Sequence, residues 1–421
     1  MKPVKRLIVK STGMLILVCL FACSGCSHAS RKVNNSESKS DYYVAAYVWP
    51  SRQNDERGRK LLWGEGIGEW EMVRKGDPRF EGHYQPRVPL WGYEMDNDPV
   101  AVEKKIDAAT DHGVNVFIYD WYWYDGKPFL ESALDDGFLK APNNEKMKFY
   151  IMWANHDVPG NMWNHYRYKS DSLIWTGLVD RENFEIIVDR VIRQYFVRPN
   201  YFKIDDMPVF SIFSLSNLVR SFNGLKGTRD ALDYMREEVR KAGFPGLHIQ
   251  VVGWSSDGIP TLTWGPENKG KGVNEMVDAL GINSVTIYNW VATGLDEDYL
   301  VWAENAMRVR ERWDSLLDIP YFPLVSVGWD NTPRYPAEGR ESVVHMNNTP
   351  ESFAAYLQKT KEYVDNHPGQ PELILINAWN EWIEGSYLEP DMRWGYGYLE
   401  AVKKVMSGTY DRYNGKMPPG Q

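Results

Sequence analysis

The sequence predicts an α/β protein, a single (β/α)8 TIM barrel with long loops at the strand C-terminal face, on three observations. Short apolar runs alternate with amphipathic helical stretches along most of the chain, the pattern of a parallel sheet crossed by helices. The alternation reaches about eight strands, enough to close a barrel. Aromatic and acidic side chains gather where the chain leaves the apolar runs and not where it enters them, and active sites of such barrels sit at the leaving ends. The length, 421 residues, fits one barrel with long loops.

Taken in order, residues 43–49 read as the first strand. An irregular insertion rich in Trp, Gly and charge follows over 50–98. A helix over 99–112 opens with Pro at its first turn and Asp98 as its cap. Further strands are expected at 115–121, 146–153, 208–214, 247–253, 284–288, 323–328 and 373–378. Helices are expected at 182–195, 229–242, 274–280, 298–317 and 350–366, with a last one from about Tyr398. No internal repeat and no compositional break divides the body, so residues 42–406 form one unit and 407–421 a tail.

Ahead of the body stands a targeting segment, 1–23. Lys2, Lys5, Arg6 and Lys10 precede a short apolar stretch, Met14 to Ala22, too short to span a bilayer comfortably. The segment resembles a bacterial lipoprotein signal. Cys23, preceded by Leu20 and Ala22, is the expected lipidation site, with Cys26 after Gly25 as the alternative; an ordinary secretory signal is the rival reading. The polar stretch 24–41 reads as a flexible tether. The expected location is therefore the cell envelope, as an exported, lipid-anchored protein of the outer membrane or another envelope surface. The three cysteines all lie in or just after the signal, which leaves the body without a Cys-based metal site or disulfide framework. A net charge of −9 without a long basic run speaks against nucleic acid and anionic membrane surfaces as partners. No metal and no cofactor is expected.

The densest chemistry follows the last strand, in Asn377-Ala378-Trp379-Asn380-Glu381-Trp382-Ile383-Glu384. Glu381 and Glu384 are three apart, so one turn can aim both at one point. Two glutamates among indoles suit glycosidic chemistry, which needs a proton donor, a base and flat faces for sugar rings. Other strand ends add to the site expected around them. The first ends at Trp49, the second at Asp120, Trp121 and Trp123, and the third at Trp153, Asn155 and His156. The fifth ends in Trp254 and Asp257, the sixth in Tyr288 and Trp290, and the seventh in Trp329 and Asp330, with Arg334 beyond. Together with Asn380 these predict a wide, aromatic, polar-lined cleft for a glycan. The 18 Trp and 25 Tyr of the chain agree with that, although large cores use such rings too.

With these blocks in view the chain resembles the WbsX-type proteins, which are similar in turn to glycoside hydrolase family 99, the endo-α-mannosidases and endo-mannanases. The resemblance runs through WGEGIGEW (63–70), FEGHYQPRVPL (80–90), FIYDWYWYDGK (117–127), YFKIDDMPVF (201–210), GWDNTPR (328–334) and NAWNEWIEGSYLEPD (377–391). The likeness to family 99 is narrower and rests on Asn380 to Gly385. It implies a retaining glycosidase with Glu381 as base and Glu384 as acid. In that chemistry the base removes the sugar's 2-hydroxyl proton, and the 2-oxygen attacks the anomeric carbon to give a 1,2-anhydro sugar. α-Mannosides and α-L-rhamnosides have the trans arrangement this requires. Ile383 stands where family 99 has His, so mannose specificity is not carried over. Two other functions compete. A glycosyltransferase of polysaccharide synthesis would need a diphosphate site, for which Asp205-Asp206 and Asp96-Asn97-Asp98 are the nearest candidates. A non-catalytic glycan-binding lipoprotein would need the aromatics but not the paired carboxylates.

Overall fold

Closure of the sheet decides where the site sits. The computed structural model describes residues 42–256, 259–263, 272–294, 297–336 and 344–411. Cys23, Cys26, the 24–41 tether and Asp257 lie outside the described residues. Eight parallel strands form the sheet: β1 (Tyr43–Val48), β2 (Val116–Tyr124), β3 (Lys148–Trp153), β4 (Met207–Ile212), β5 (His248–Val252), β6 (Ser284–Thr286), β7 (Leu324–Ser326) and β8 (Leu373–Asn377). Their spatial order is β6-β5-β4-β3-β2-β1-β8-β7. A parallel bridge from Val285 to Tyr321, just ahead of β7, joins the two ends, so the described residues make a (β/α)8 barrel.

The helices follow their strands in turn: α1 (Pro99–Asp111) after β1, α2 (Arg181–Val191) after β3, α3 (Leu225–Lys241) after β4 and α4 (Val273–Leu280) after β5. Then come α5 (Tyr299–Leu316) after β6, α6 (Pro350–Asp365) after β7 and α7 (Gly397–Met406) after β8. Local chemistry explains their starts. Asp98 accepts from the Val100 N–H with Pro99 at the first turn of α1, and Thr349 and Ser352 form a capping box on α6. The crossover from β2 to β3 is irregular. A hairpin arm, Lys127–Phe129, and a π-helical turn, Ala133–Gly137, take the place of a regular helix.

Strands covered on both faces read as unbroken apolar runs, and every residue of β8 is buried. Side chains on alternate positions fill the barrel interior. Tyr47 and Tyr288 meet with ring centroids 4.7 Å apart, and the Tyr150 hydroxyl donates to Gln250 Oε1 at 3.2 Å. The 50–98 insertion is less irregular than its sequence suggests, for it holds two short helices, Glu56–Leu61 and Trp70–Val73. Asp205 and Asp206 make the turn of a hairpin that enters β4, both with positive φ, and so lie at the end of the barrel opposite the Glu381 turn.

Candidate active site

After β8 the chain doubles back. Asn380–Glu381 pair antiparallel with Ser386–Tyr387 across a one-turn 3-10 helix, Trp382–Glu384. Gly385 ends this turn at φ 63°, and a Cβ there would lie 2.8 Å from Arg87 Nη2 and 3.0 Å from Asp330 Cβ, so only glycine fits the bend. The tight return brings Glu381 and Glu384 to one spot at the C-terminal end of β8. Both are covered, with 3% and 7% of their surface exposed, rather than opening onto the wide cleft expected. A surface cavity of about 560 Å³ lies elsewhere, along α1 between Asp98 and His112.

The two glutamates have different neighbours. The Tyr288 hydroxyl lies 2.9 Å from Asp120 Oδ2 and 3.1 Å from Glu381 Oε1. One hydroxyl has one proton to donate, so both contacts are satisfied only when Asp120 or Glu381 carries a proton of its own. Burial pushes the Asp120 carboxyl well above the usual range, and burial followed by the charge of Glu384 does the same to Glu381. Glu384 instead accepts from Arg334 Nη1 at 2.8 Å. Burial raises its proton affinity too, but Arg334 opposes the rise. Carboxyl oxygens Asp120 Oδ1, Glu381 Oε2 and Glu384 Oε2 are buried with no hydrogen-bond partner among the described residues, which leaves them as acceptors for a ligand's hydroxyls.

A third glutamate, not expected from the sequence, completes the group. Glu69 is 2% exposed, accepts from Trp49 Nε1 and from Ser51 Oγ at 3.1 Å, and lies 3.9 Å from Arg334 Nη2. The signal for it is Gly68. A Cβ there would fall 1.8 Å from the Ser51 carbonyl oxygen at φ 59°, so glycine is what lets this loop press against β1's exit. Beneath the turn, Arg52 donates to the Asn380 carbonyl at 2.6 Å and pairs with Asp96 at 2.8 Å. Lys105 pairs with Asp96 and Glu389, each at 2.8 Å, and Trp382 Nε1 donates to Glu389. The sequence presents these as scattered charges; the fold makes them one buried, neutral base plate for Asn380 to Trp382.

The remaining expected residues divide sharply. Tyr288, Asp120 and Trp49 meet the glutamates as described, and the Asn380 side chain accepts from the Trp49 N–H at 2.7 Å. His156 is half-buried against Tyr122, Trp163 and Phe213, and burial lowers its proton affinity. Trp254 meets Phe213 edge-on at 5.0 Å, and Phe213 in turn touches Tyr288. Trp329 is half-buried. Four tryptophans turn away from the site into the helix layer. Trp121 Nε1 donates to Glu131, and Trp123 Nε1 donates to Asn183 of α2. Trp153 lies on Phe184 of α2, and Trp290 lies on Trp302 of α5. For Trp121 and Trp123 the cause is the two-residue period of a strand. If Asp120 and Tyr122 face the barrel, Trp121 and Trp123 must face out. Asn155 is a brace, exchanging hydrogen bonds with the backbone of Ser214 at 2.8 and 2.9 Å. Asp330 is also saturated. Its Oδ2 accepts from His83 Nε2, Gln85 Nε2 and Arg87 Nη2 at 2.9, 2.7 and 3.0 Å. Since His83 Nδ1 accepts from the Arg79 N–H, Nε2 bears the ring proton and donates.

A family model described as glycosyltransferase WbsX matches residues 43–402. The chain belongs to this family. Among curated relatives, WxcX of Xanthomonas campestris pv. campestris, described as uncharacterized, is 26% identical over 369 residues, covering 83% of this chain and 47% of the relative. This WbsX-family chain thus spans about half the length of the curated relatives it matches. Among solved structures it is similar to a GH99 endo-alpha-mannosidase from Bacteroides thetaiotaomicron in complex with bis-tris propane. The TM-score is 0.53 at 14% identity, over 87% of this chain and 97% of that one. A glycoside hydrolase-like protein matches with a TM-score of 0.56 at 14% identity, over 87% and 94%. These likenesses show a fold shared with glycoside hydrolases.

Proposed function

We propose that this protein is a retaining glycoside hydrolase acting on a polysaccharide or oligosaccharide at α-mannoside- or α-L-rhamnoside-like linkages. The observation that carries the proposal is the pair Glu381 and Glu384, buried together at a strand C-terminal end with unpartnered oxygens. Glu381, as base, takes the proton of the sugar's 2-hydroxyl. The 2-oxygen bonds to the anomeric carbon while the bond to the leaving oxygen breaks and Glu384 protonates that oxygen. Water then attacks the anomeric carbon and gives its proton to Glu384. The ring opens with return of a proton from Glu381 to the 2-oxygen, and the configuration is retained. Asp120, through Tyr288, holds Glu381 in place and shares its proton. The chain is further proposed to be lipid-anchored at Cys23 or Cys26, which replacement of both by Ala tests through movement from the membrane to the soluble fraction.

One observation favours a second assignment of roles. Glu384 is paired with a guanidinium whereas Glu381 has no cation in hydrogen-bond contact among the described residues, so the proton rests more readily on Glu381. That order makes Glu381 the acid and Glu384 the base. Aryl glycosides separate the two. The Gln variant of the acid spares substrates with activated leaving groups and loses those with poor ones, whereas the Gln variant of the base loses both. A substrate methylated at its 2-oxygen separates the anhydro-sugar route, which it blocks, from direct attack by a carboxylate, which it permits.

The family model's description raises a transferase reading. Its candidate acidic motifs are otherwise engaged here: Asp96 pairs with Arg52 and Lys105, Asp98 caps α1, and Asp205-Asp206 lie at the opposite end of the barrel. Reducing-end release from mannose- and rhamnose-containing polysaccharides, run beside titration with labelled nucleotide sugars, tests the hydrolase proposal. Nucleotide-sugar binding without release of reducing ends would overturn it, and glycan binding without turnover would leave a lectin-like protein.

A further inference from the structure

An acid at Glu384 faces an electrostatic problem that the structure states plainly. While ionised, the carboxylate neutralises Arg334, which is itself buried. Once Glu384 takes up the proton it must deliver, the guanidinium loses its counter-charge, and a buried unpaired cation is strongly disfavoured. Glu69 stands on the other side of that guanidinium. Its Oε1 is 3.9 Å from Arg334 Nη2, is buried, and makes no hydrogen bond among the described residues, while its Oε2 is held by Trp49 and Ser51. Glu69 occupies the cap position of the Trp70–Val73 helix, yet its side chain does not cap it. The carboxylate is directed to the site instead, by a loop whose Gly68 permits no side chain.

We propose that Glu69 is a positioning residue, the alternate counter-ion that takes the guanidinium of Arg334 whenever Glu384 carries a proton. The inference rests on Glu384 as the acid. A small movement of Arg334, from a direct bond with Glu384 to one with Glu69, keeps the guanidinium paired with a carboxylate in both protonation states of Glu384. Burial raises the proton affinity of Glu69, while Arg334, Trp49 and Ser51 favour its ionised form, so the trio is poised to exchange partners.

The other charged groups around Glu384 do not supply this service. Glu381 and, across Tyr288, Asp120 add negative charge on one side without bonding the guanidinium. His156 faces Arg334 in a setting that disfavours its cation. Behind Gly385, Asp330 is committed to Arg87 and His83.

The test reads Glu384 directly in the full-length chain labelled with ¹³C at the glutamate side-chain carboxyl carbon, its resonance identified by its absence in Glu384→Gln. Glu69→Gln keeps the shape and removes the charge. The titration midpoint of Glu384 is expected to fall by at least about one pH unit, a tenfold loss of proton affinity. Glu69→Asp, which withdraws the charge by one methylene, is expected to lower it less and serves if Gln disturbs the fold. In an Arg334→Met background there is no cation to orphan and only the direct repulsion between Glu69 and Glu384 remains, so Glu69→Gln is expected to move the midpoint by less than half as much. An unmoved midpoint with Arg334 present, or equal shifts with and without Arg334, overturns the inference. The reading of Glu384 as acid fails separately, if Glu384→Gln loses activated and poor leaving groups alike or hydrolyses both at the wild-type rate.

Discussion

Asp330 and Glu381 leave neighbouring strands at the same end of the barrel, and both are buried, with 1% and 3% of their surface exposed. Their surroundings differ in one respect, the supply of donors. Asp330 Oδ2 receives three side-chain N–H groups and its Oδ1 receives the Thr332 N–H at 3.1 Å. Glu381 shares a single hydroxyl with Asp120 and has one oxygen with no partner. Burial raises the proton affinity of any carboxyl, but the donors from His83, Arg87 and Thr332 outweigh it at Asp330 and hold that group well below the ordinary range. At Glu381 nothing comparable offsets burial, and the group moves the other way. A carboxylate saturated with donors is structural, whereas one left short of donors can take up and release protons.

The sharpest way to break this contrast is to remove each carboxylate in turn. Asp330→Ala leaves Arg87 buried and unpaired, and is expected to cost about 3–5 kcal/mol of stability in chemical denaturation. Glu381→Gln is expected to leave the folded state at least as stable as wild type while lowering glycan turnover by ~100-fold or more. A large stability loss in the second variant with activity intact would erase the distinction.

The two regions also carry opposite pH signatures. Asp330's depressed proton affinity contributes stability that is present above the ordinary Asp value of about 4 and is lost as pH falls below it. The deficit of Asp330→Asn should therefore be full near neutral pH and shrink in acid. Glu381's raised affinity works in reverse. Its contribution is present below the ordinary Glu value of about 4 and is lost as pH rises toward the folded-state value, so Glu381→Gln should gain on wild type as pH rises. Denaturation midpoints measured from pH 3 to about 8 would show the two difference curves sloping in opposite senses, the window set by these ordinary values.

Smaller effects sharpen the picture. Tyr288→Phe removes the hydroxyl that joins Asp120 to Glu381 and is expected to slow turnover by roughly tenfold, about 1.5 kcal/mol, with little change in stability. Trp121→Phe loses the bond to Glu131 and part of a buried indole stacked on Trp123, and should cost about 1–3 kcal/mol of stability without altering substrate affinity. Trp329→Ala should do the opposite, weakening glycan binding by ~1–2 kcal/mol in calorimetry while the fold holds. Equal behaviour of Trp121 and Trp329 would mean that the direction in which a strand presents its indole has no bearing on the site.

What the sequence determined by itself was the order of elements. Apolar runs covered on both faces and helix caps such as Asp98 act within a few residues, so β1 to β8 and their helices are legible from local pattern. The nomination of Glu381 with Glu384 is of the same kind, since one turn joins them. Tertiary structure decided which neighbours matter. Along β2, Asp120, Trp121, Tyr122 and Trp123 are all plausible site residues on paper, and the two-residue alternation of the strand sends the acid inward and the indoles outward. Register and closure of the barrel settle that choice, and neither is written in a local spacing. Glu69 and Arg334 come within 3.9 Å although 265 positions separate them, and the His83, Gln85 and Arg87 donors reach Asp330 from more than 240 positions away. The proton affinity of a buried carboxyl depends on such partners through burial and short-range charge, so it exists only once the chain has folded.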